Sequence, residues 1–541
     1  MKFRYIKSIL SAASLLLAVS VTSCIGDLDV TSCIGDLDAT PIDPNIVMTF
    51  DQASVFNKIY GTLGLTGQKG PDGSGDLDDI DEGTSSFYRM TWCANQLMTD
   101  EAIVNSWNDA GVATIADCSW SSSNEIVTGL YYRLTFDITL CNYFLEQTEG
   151  LTDDETTRQR AEVRFIRALN NYYLMDMFGN PPYCDKVSTE KPQQIQRADL
   201  FAKIEEELKE IGDDATATLA QPLQTTYGRV DRVAAWLLLA RMYLNAEVYT
   251  GTPQWGKAKE YAQKVIGSGY KLAPVYKHLF MADNDGSNVN KARQEVILPI
   301  LQDGVRTKSW GGSLFLIAGT HKSDTGMNPW GSKQGWGGPH CRQAMVAKFF
   351  PNVNDAPSVL EDQMVVAAKD DRALMCGVQR STSTGDNMSF TDGFACAKFS
   401  NIRADNGLTS DTDNPDMDIP LLRMAEAYLI VAEASIRANN GVSTQETIDA
   451  MHEIRKRANA AESDSYTLTD IRDEWAREFW FEGRRRIDLI RFGDFGGHTD
   501  YNWDWKGGEK QGTEIKEFRN IYPIPANDIN ANTNLEQNPE Y

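Results

Sequence analysis

Three groups of residues in this 541-residue chain have types and spacings that suggest chemistry. The first is DEWAREFWFEGRRRIDLIRFGDF (473 to 495), where Glu474, Glu478 and Glu482 precede Arg484, Arg485, Arg486 and Asp488. Paired carboxylates can serve as general acid and base. Opposite charges interleaved at helical spacing more commonly form ion pairs within and between helices, and the spacing favours that reading. The second group is acidic. In MADNDGSNVN (281 to 290), Asp283, Asp285 and Ser287 alternate as the oxygen ligands of a hard cation do, without the twelfth-position glutamate of an EF-hand. The turn DTDNPDMD (411 to 418) adds Asp416 and Asp418 if the fold brings it near. Two solvated acidic turns would look the same in sequence.

The third group is aromatic. Trp310, Trp330 and Trp336 sit among glycines in a stretch from Lys308 to Phe350 that has no helical or strand period. An indole face is flat and apolar and fits the C–H face of a sugar ring as readily as another aromatic, and glycine lets a backbone approach closely. The tryptophans either fill core beneath this loop or face a ligand. The polar segment from Thr99 to Trp120, with Trp107, is a second candidate binding loop.

Other chemistries lack their signatures. No G-x-S-x-G, H-E-x-x-H or P-loop pattern occurs. The five histidines are scattered, and His340-Cys341 is a weak metal suggestion only. Beyond a duplicated pair, the cysteines form no C-x-x-C and read as small buried hydrophobes. A formal net charge of −24 and a pI near 4.7 argue against a nucleic-acid partner.

The elements that must position these groups are mainly helical. Apolar residues recur at three- and four-residue spacing in Phe50–Leu63, Val127–Glu149, Glu155–Phe178, Leu200–Ile211, Arg229–Asn245, Trp255–Gly267, Pro420–Asn439, Ser443–Asn459 and Leu468–Phe492. Ala235, Leu239, Tyr243, Ala258 and Ala262 approximate the interlocking small and large residues of tetratricopeptide helix pairs. The helical scaffold is expected mainly over residues 50–272 and 420–493. An irregular binding region is expected over roughly 273–415 plus 80–120, with one short strand at Leu314–Ala318. The acidic run from Gly67 to Gly83 reads as solvated loop.

At the N-terminus, Lys2, Arg4 and Lys7 precede an apolar run too short to span a bilayer, the pattern of a signal peptide over residues 1–23. Val21-Thr22-Ser23-Cys24 resembles a bacterial lipobox; by spacing either Cys24 or Cys33 of the duplicated segment could carry the lipid, and Cys24, closer to the apolar run, is the expected lipidation site. Residues 24–40 form a tether in which VTSCIGDLD, first present at 21 to 29, is repeated at 30 to 38. Residues 41–541 read as a single body anchored to, rather than spanning, a membrane.

The chain resembles the SusD/RagB family of outer-membrane lipoproteins through RAEVRFIRALNNYYLMDMFGNPP (160 to 182), LLRMAEAYLIVAEA (421 to 434), EWAREFWFEGRRRIDLIRFG (474 to 493) and the ending YPIP…QNPEY. Its TGQKGPDGSGDLDDIDEG (66 to 83), GRVDRVAAWLLLARMYLNAEVYTG (228 to 251), MADND (281 to 285) and WDWKGG (503 to 508) are similar to the starch-binding members. The resemblance implies a mainly α fold in which four tetratricopeptide-like helix pairs support an irregular, loop-rich ligand-binding region. It implies display at the outer membrane and non-catalytic capture of starch or maltooligosaccharide for a SusC-like TonB-dependent transporter. It also implies a calcium ion at the MADND loop, with Asp416 and Asp418 as the further candidate ligands. Matched without gaps, Trp310 takes the place of a stacking tyrosine, Trp336 that of a stacking tryptophan, and Arg89 that of an arginine bonding sugar hydroxyls. A Trp-x-Trp pair of the starch binders is missing here. Val104 and Ser106 occupy its places and Asp109 replaces an asparagine, while Trp107 and Asn108 lie one residue from matching positions. That departure keeps other glycans open as ligands. A hydrolase and a peptide-binding member are the remaining alternatives.

Overall fold

Apolar periodicity and capping residues together set where the helices begin. The structure, a computed structural model, describes residues 50–541 apart from 68–74, 79, 105–106, 108, 214–216, 323–329 and 386–388. The signal segment and tether, with Cys24, lie outside the described residues. The helices that build the scaffold are α1 (Gln52–Gly61), α2 (Phe87–Gln96), α3 (Glu125–Gln147), α4 (Asp154–Phe178), α5 (Arg197–Gly212), α6 (Arg232–Leu244) and α7 (Trp255–Ile266), then α8 (Ser313–Gly319), α9 (Ala425–Ala438), α10 (Gln445–Arg457), α11 (Leu468–Phe479) and α12 (Arg485–Phe492). Side chains of Asn124, Asp153, Asp231 and Thr444 accept amide hydrogens from the first turns of α3, α4, α6 and α10. Thr467 and Asp470 close a reciprocal capping box on α11. Each cap satisfies a backbone donor that would otherwise be orphaned, worth about 1 kcal/mol.

Each scaffold helix packs on the next: α3 on α4, α4 on α5, α5 on α6, α6 on α7, α7 on α9 and α9 on α10. The step from α7 to α9 closes over the central irregular segment. Helix α6 is enclosed by α5, α7 and α9, which accounts for an apolar sequence on every face. Ala235, Leu239 and Tyr243 on α6 and Ala258 and Ala262 on α7 are all fully buried, so the small-and-large pattern is the contact between these two helices. Burying each such leucine contributes about 1.5–3 kcal/mol.

The charged stretch read as an ion-pair network is one, and it is internal. Arg423, fully buried, bonds Glu295 at 2.9 Å, Glu478 at 2.6 Å and Glu482 at 2.8 Å. Arg372 bonds Asp370 and Glu474, each at 2.7 Å. Burial alone would raise Glu474, but the guanidiniums of Arg372, Arg477 and Arg455 hold it down at about 2. From α12, Arg485 reaches Asp100 at 2.7 Å, Arg486 reaches Asp176 at 3.0 Å and Arg491 reaches Glu433 at 2.8 Å, which ties this helix to α4, α9 and the end of α2. Removing one partner would strand a buried charge at a cost of about 3–5 kcal/mol.

Four expectations about local structure are corrected. Leu314–Ala318 is not a strand but part of α8, whose residues are all buried; short apolar runs enclosed on every side do not reveal their period. Residues 420–423, expected to open a helix, belong to a strand, Ile419–Arg423, that pairs antiparallel with Val296–Ile300 as a two-stranded ribbon. That ribbon clasps both ends of the irregular segment between them. The helix expected over Leu468–Phe492 breaks after Phe479, where Phe481 and Gly483 adopt left-handed backbone angles. Helix α2 lies inside the 80–120 stretch expected to be irregular, and every one of its residues is buried.

Candidate functional site

The glycine-rich stretch folds back on the end of α8. Amides of Trp336, Gly337 and Gly338 donate to the carbonyls of Ala318, His321 and Gly319 at 2.7, 2.8 and 2.8 Å, which fixes the backbone that carries Trp336. Trp336 Nε1 donates to Gln334 Oε1 at 3.2 Å. Trp310 is held from behind: its amide donates to Glu82 Oε2 at 3.2 Å, Ser309 Oγ donates to Glu82 Oε1 at 3.1 Å, and Thr66 Oγ1 donates to the same carboxylate.

These anchors place three indoles in a row. The Trp336 ring lies 5.9 Å from Trp310 at an interplanar angle of 63°, and 6.3 Å from Trp107 at 50°. All three are half-buried, so each is seated yet keeps surface for a ligand. Because successive planes turn, the row presents a bent rather than a flat apolar surface. Phe315 of α8 backs Trp107 at 5.8 Å. Arg89, from α2, places its guanidinium 5.4 Å over Trp107 and 5.2 Å over Phe315. It also forms an ion pair with Asp109, which is half-exposed while Arg89 is buried.

The glycines are explained by close approach. A Cβ at Gly311 would stand 1.9 Å from Ser86 Oγ, and one at Gly83 would stand 2.5 Å from the Arg89 guanidinium and 3.2 Å from Trp310 Cβ. Any side chain there displaces the elements that hold the row.

The structure thus gathers Arg89, Trp107, Asp109, Trp310 and Trp336 from four separated parts of the chain. Asn108 and Ser106 lie outside the described residues, and Val104 packs half-buried against the core. Arg89, expected to meet sugar hydroxyls, backs Trp107 and is paired with Asp109, the charged group of this pair that reaches solvent. Trp330 is separate: it is 2% exposed, in a small apolar cluster with Cys376 and Phe390, and its ring meets His321 edge-on at 5.4 Å. Trp120 is no ligand platform either. It is buried against Tyr522, and its Nε1 donates to Tyr541 Oη at 2.7 Å.

Two contributors escaped the sequence reading. Glu82, placed in a solvated acidic run, is buried, and desolvation raises its carboxyl above the ordinary glutamate value. Phe315 lay in the misread strand. The Ser309 hydroxyl opposite a carboxylate is visible only once the two loops meet.

The acidic loops do approach each other. Asn284 Nδ2 donates to the Asp418 carbonyl at 2.7 Å, and the Asp418 amide donates to Asn284 Oδ1 at 3.0 Å. Asp283 already accepts from Ser287 at 2.8 Å, Asn290 at 3.1 Å and the Ala404 amide at 3.0 Å. Asp416 accepts from the Gly304 amide at 2.9 Å and the Ser410 amide at 2.7 Å, and Asp418 from the Gln302 amide at 2.6 Å. Asp285 is exposed. Burial, then the negative charges of Asp285 and Asp416, push Asp418 up to about 7. Among the described residues no three His, Cys, Asp or Glu side chains converge closely enough to hold a metal. His340 is buried in a strand pair, where desolvation lowers it to about 3. The described cysteines form no disulfide with one another, and all but the half-buried Cys184 are buried.

Comparison with known proteins gives matches along the whole chain. Residues 358–541 match the family model described as SusD family, and residues 77–244 match one described as starch-binding associating with outer membrane. The chain is 46% identical, over all of both sequences, to the starch-binding protein SusD of Bacteroides thetaiotaomicron. Among solved structures it is similar to a SusD superfamily protein from Parabacteroides distasonis (TM-score 0.66, 20% identity, 91% of this chain and 98% of that one). It is also similar to surface glycan-binding protein A from Bacteroides thetaiotaomicron in complex with laminarihexaose (TM-score 0.63, 20% identity, 90% of this chain and 98% of that one).

Proposed function

This chain belongs to the SusD family, and on that premise we propose that it is a non-catalytic binding protein that captures starch and maltooligosaccharides on the row formed by Trp107, Trp336 and Trp310. The observation that carries this reading is the bend of the row, with successive rings turned by 50° and 63°. An α-1,4-linked glucan coils, so its sugar faces turn from one residue to the next; a flat β-1,4 ribbon would meet only one indole at a time. Sugar C–H faces stack on the rings, and Asp109, steered by Arg89, accepts from hydroxyls at the end of the row. The 46% identical relative is a starch-binding protein, which supports the same substrate class. Isothermal titration with maltoheptaose and laminarihexaose tests it: tight binding of the first and weak binding of the second is expected, and the reverse order would replace starch with a β-1,3-glucan.

Capture without chemistry is supported by the carboxylates bonded to residues of the row. Asp109 is paired with Arg89, and Glu82 is buried and committed to Thr66, Ser309 and the Trp310 amide. A glycosidase needs two carboxyls facing one scissile bond. Release of reducing sugar from starch by the purified protein would overturn this part.

The protein is proposed to be held at the outer-membrane surface by a lipid on Cys24 and to hand its glycan to a SusC-like TonB-dependent transporter. The lipobox supports the anchor, and among the described residues no helix is long and apolar enough to cross a membrane. Loss of acyl labelling in Cys24→Ala cells is the expected result. Calcium is proposed at the junction of the 283–285 and 416–418 segments, with Asp285 and Asp418 as its nearest charges and Asp283 and Asp416 shaping the two loops. The support is electrostatic: beyond its burial, Asp418 is raised by the charge of Asp285 from the other segment, a situation a bound cation reverses.

A further inference from the structure

A second concavity shares no residue with the indole row. The segment around Leu223–Arg229 and the loop from Gly286 to Gln294 enclose a cleft of about 410 Å³, within the size range of small-ligand sites. Its charge is inverted relative to the chain. The sequence holds 76 acidic against 52 basic residues, yet Arg229, Lys291 and Arg293 line this cleft and no carboxylate does.

The three cations are not equivalent. Arg229 is committed to Glu162, bonding both carboxylate oxygens. Lys291 donates to the Ser287 carbonyl at 3.0 Å and has further ammonium hydrogens to offer. Arg293 is exposed and enters no ion pair among the described residues; Asp285 on the adjoining loop is the carboxylate whose field it feels. Its guanidinium lies 4.8 Å over the ring of Tyr227. That contact restrains the guanidinium, and no hydrogen bond from it is made to another described residue, which lowers the entropy lost when it grips an oxyanion with two bonds. Thr225 and Thr226 bring hydroxyls to the same cleft, and Leu223, 51% exposed, forms an apolar edge.

We propose that this cleft is a second glycan site, selective for a sugar that carries an oxyanion. Arg293 and Lys291 would hold the carboxylate or phosphate, with Thr225 and Thr226 on ring hydroxyls and Leu223 against a sugar face. The site is independent of the starch reading.

Isothermal titration of the mature protein with glucuronate and with glucose 6-phosphate, against glucose and inorganic phosphate as controls, tests it and separates the two anion sources. At least one anionic sugar should bind saturably and at least tenfold more tightly than both controls. Arg293→Ala should weaken that binding tenfold or more, Arg293→Lys should weaken it less, and Trp336→Ala should leave it unchanged. Arg293 is exposed, and equal thermal unfolding of the variants will show that the fold is intact. No saturable binding, inorganic phosphate binding as tightly as the sugar, or indifference to Arg293→Ala would each overturn the proposal.

Discussion

A Cβ on Gly338 would lie 2.2 Å from Cε2 of the Trp107 indole, so Trp107 rests directly on the backbone of residue 338. Residue 338 therefore sets the height of one end of the indole row. Gly338→Ala should push Trp107 out of its seat, costing about 1–3 kcal/mol of packing and weakening maltoheptaose binding. Titration beside thermal unfolding checks this. Unchanged affinity would mean that Trp107 makes no contact with glycan.

Trp336 touches both other indoles, whereas Trp330 touches neither. Trp336→Ala should lose the central platform and reduce affinity roughly tenfold, about the worth of one good aromatic contact, with little loss of stability because the ring is already partly exposed. Trp330→Ala should do the opposite, destabilising by about 3–5 kcal/mol through a cavity while the folded fraction keeps its affinity. Affinity electrophoresis in amylopectin, run with melting curves, separates the two outcomes. Equal retardation of wild type and Trp336→Ala would remove the row as the starch site.

Glu82 accepts from Thr66, Ser309 and the Trp310 amide, and burial makes each of those bonds hard to replace with water. Glu82→Ala leaves donors unsatisfied, at about 1–3 kcal/mol, and frees the backbone on which Trp310 stands. Both stability and affinity should fall. Glu82→Gln keeps one acceptor oxygen and should recover part of each. If Glu82→Ala binds maltoheptaose as well as wild type, Trp310 is held by other means or is not part of the site.

The scaffold was legible because long helices repeat their period many times: α3 and α4 start within two residues of their expected positions. The misreadings fell where period carries no information. Ile419–Arg423 and α8 are short, apolar and enclosed, and either conformation fits their residues. The break at Phe481 depends on a left-handed angle at a non-glycine residue, which no local rule requires. Within the site, Trp310 and Trp336 stood out by type and surrounding glycines. Their meeting with Trp107, more than two hundred residues earlier, is a tertiary fact. Glu82 was hidden because an acidic run looks solvated along its whole length, although this member of it turns inward to serve the backbone of a distant loop.

Asp528 provides a pH test of the tail. Its carboxyl is buried against Tyr131 and Tyr132, and desolvation pushes it up to about 7 from an ordinary 3.8. A raised acid is protonated in the fold at pH values where the unfolded chain has lost its proton. Its contribution is full below about pH 4 and is lost as pH rises through about 7, with a slope of at most about 1.4 kcal/mol per pH unit. Asp528→Asn should flatten the melting temperature between pH 5 and 7.5 relative to wild type. Some slope should remain, because burial raises Asp137 and Glu101 to about 7 as well. An unchanged profile would show that water reaches Asp528.

Calcium, if it joins the two acidic loops, must stabilise the fold by mass action, since the unfolded chain does not hold Asp285 and Asp418 together. Saturating calcium should therefore raise the melting temperature over an EDTA-treated sample by roughly 2–5 °C. Asp285→Ala should abolish the rise without lowering the melting point in EDTA, because Asp285 is exposed and loses no packing. Magnesium should substitute poorly: the oxygens come from two separate turns with no octahedral arrangement, which suits the larger, less demanding coordination shell of calcium. Identical melting in calcium and EDTA would assign all four aspartates to loop hydrogen bonding alone, a role that Asp283, Asp416 and Asp418 already fill.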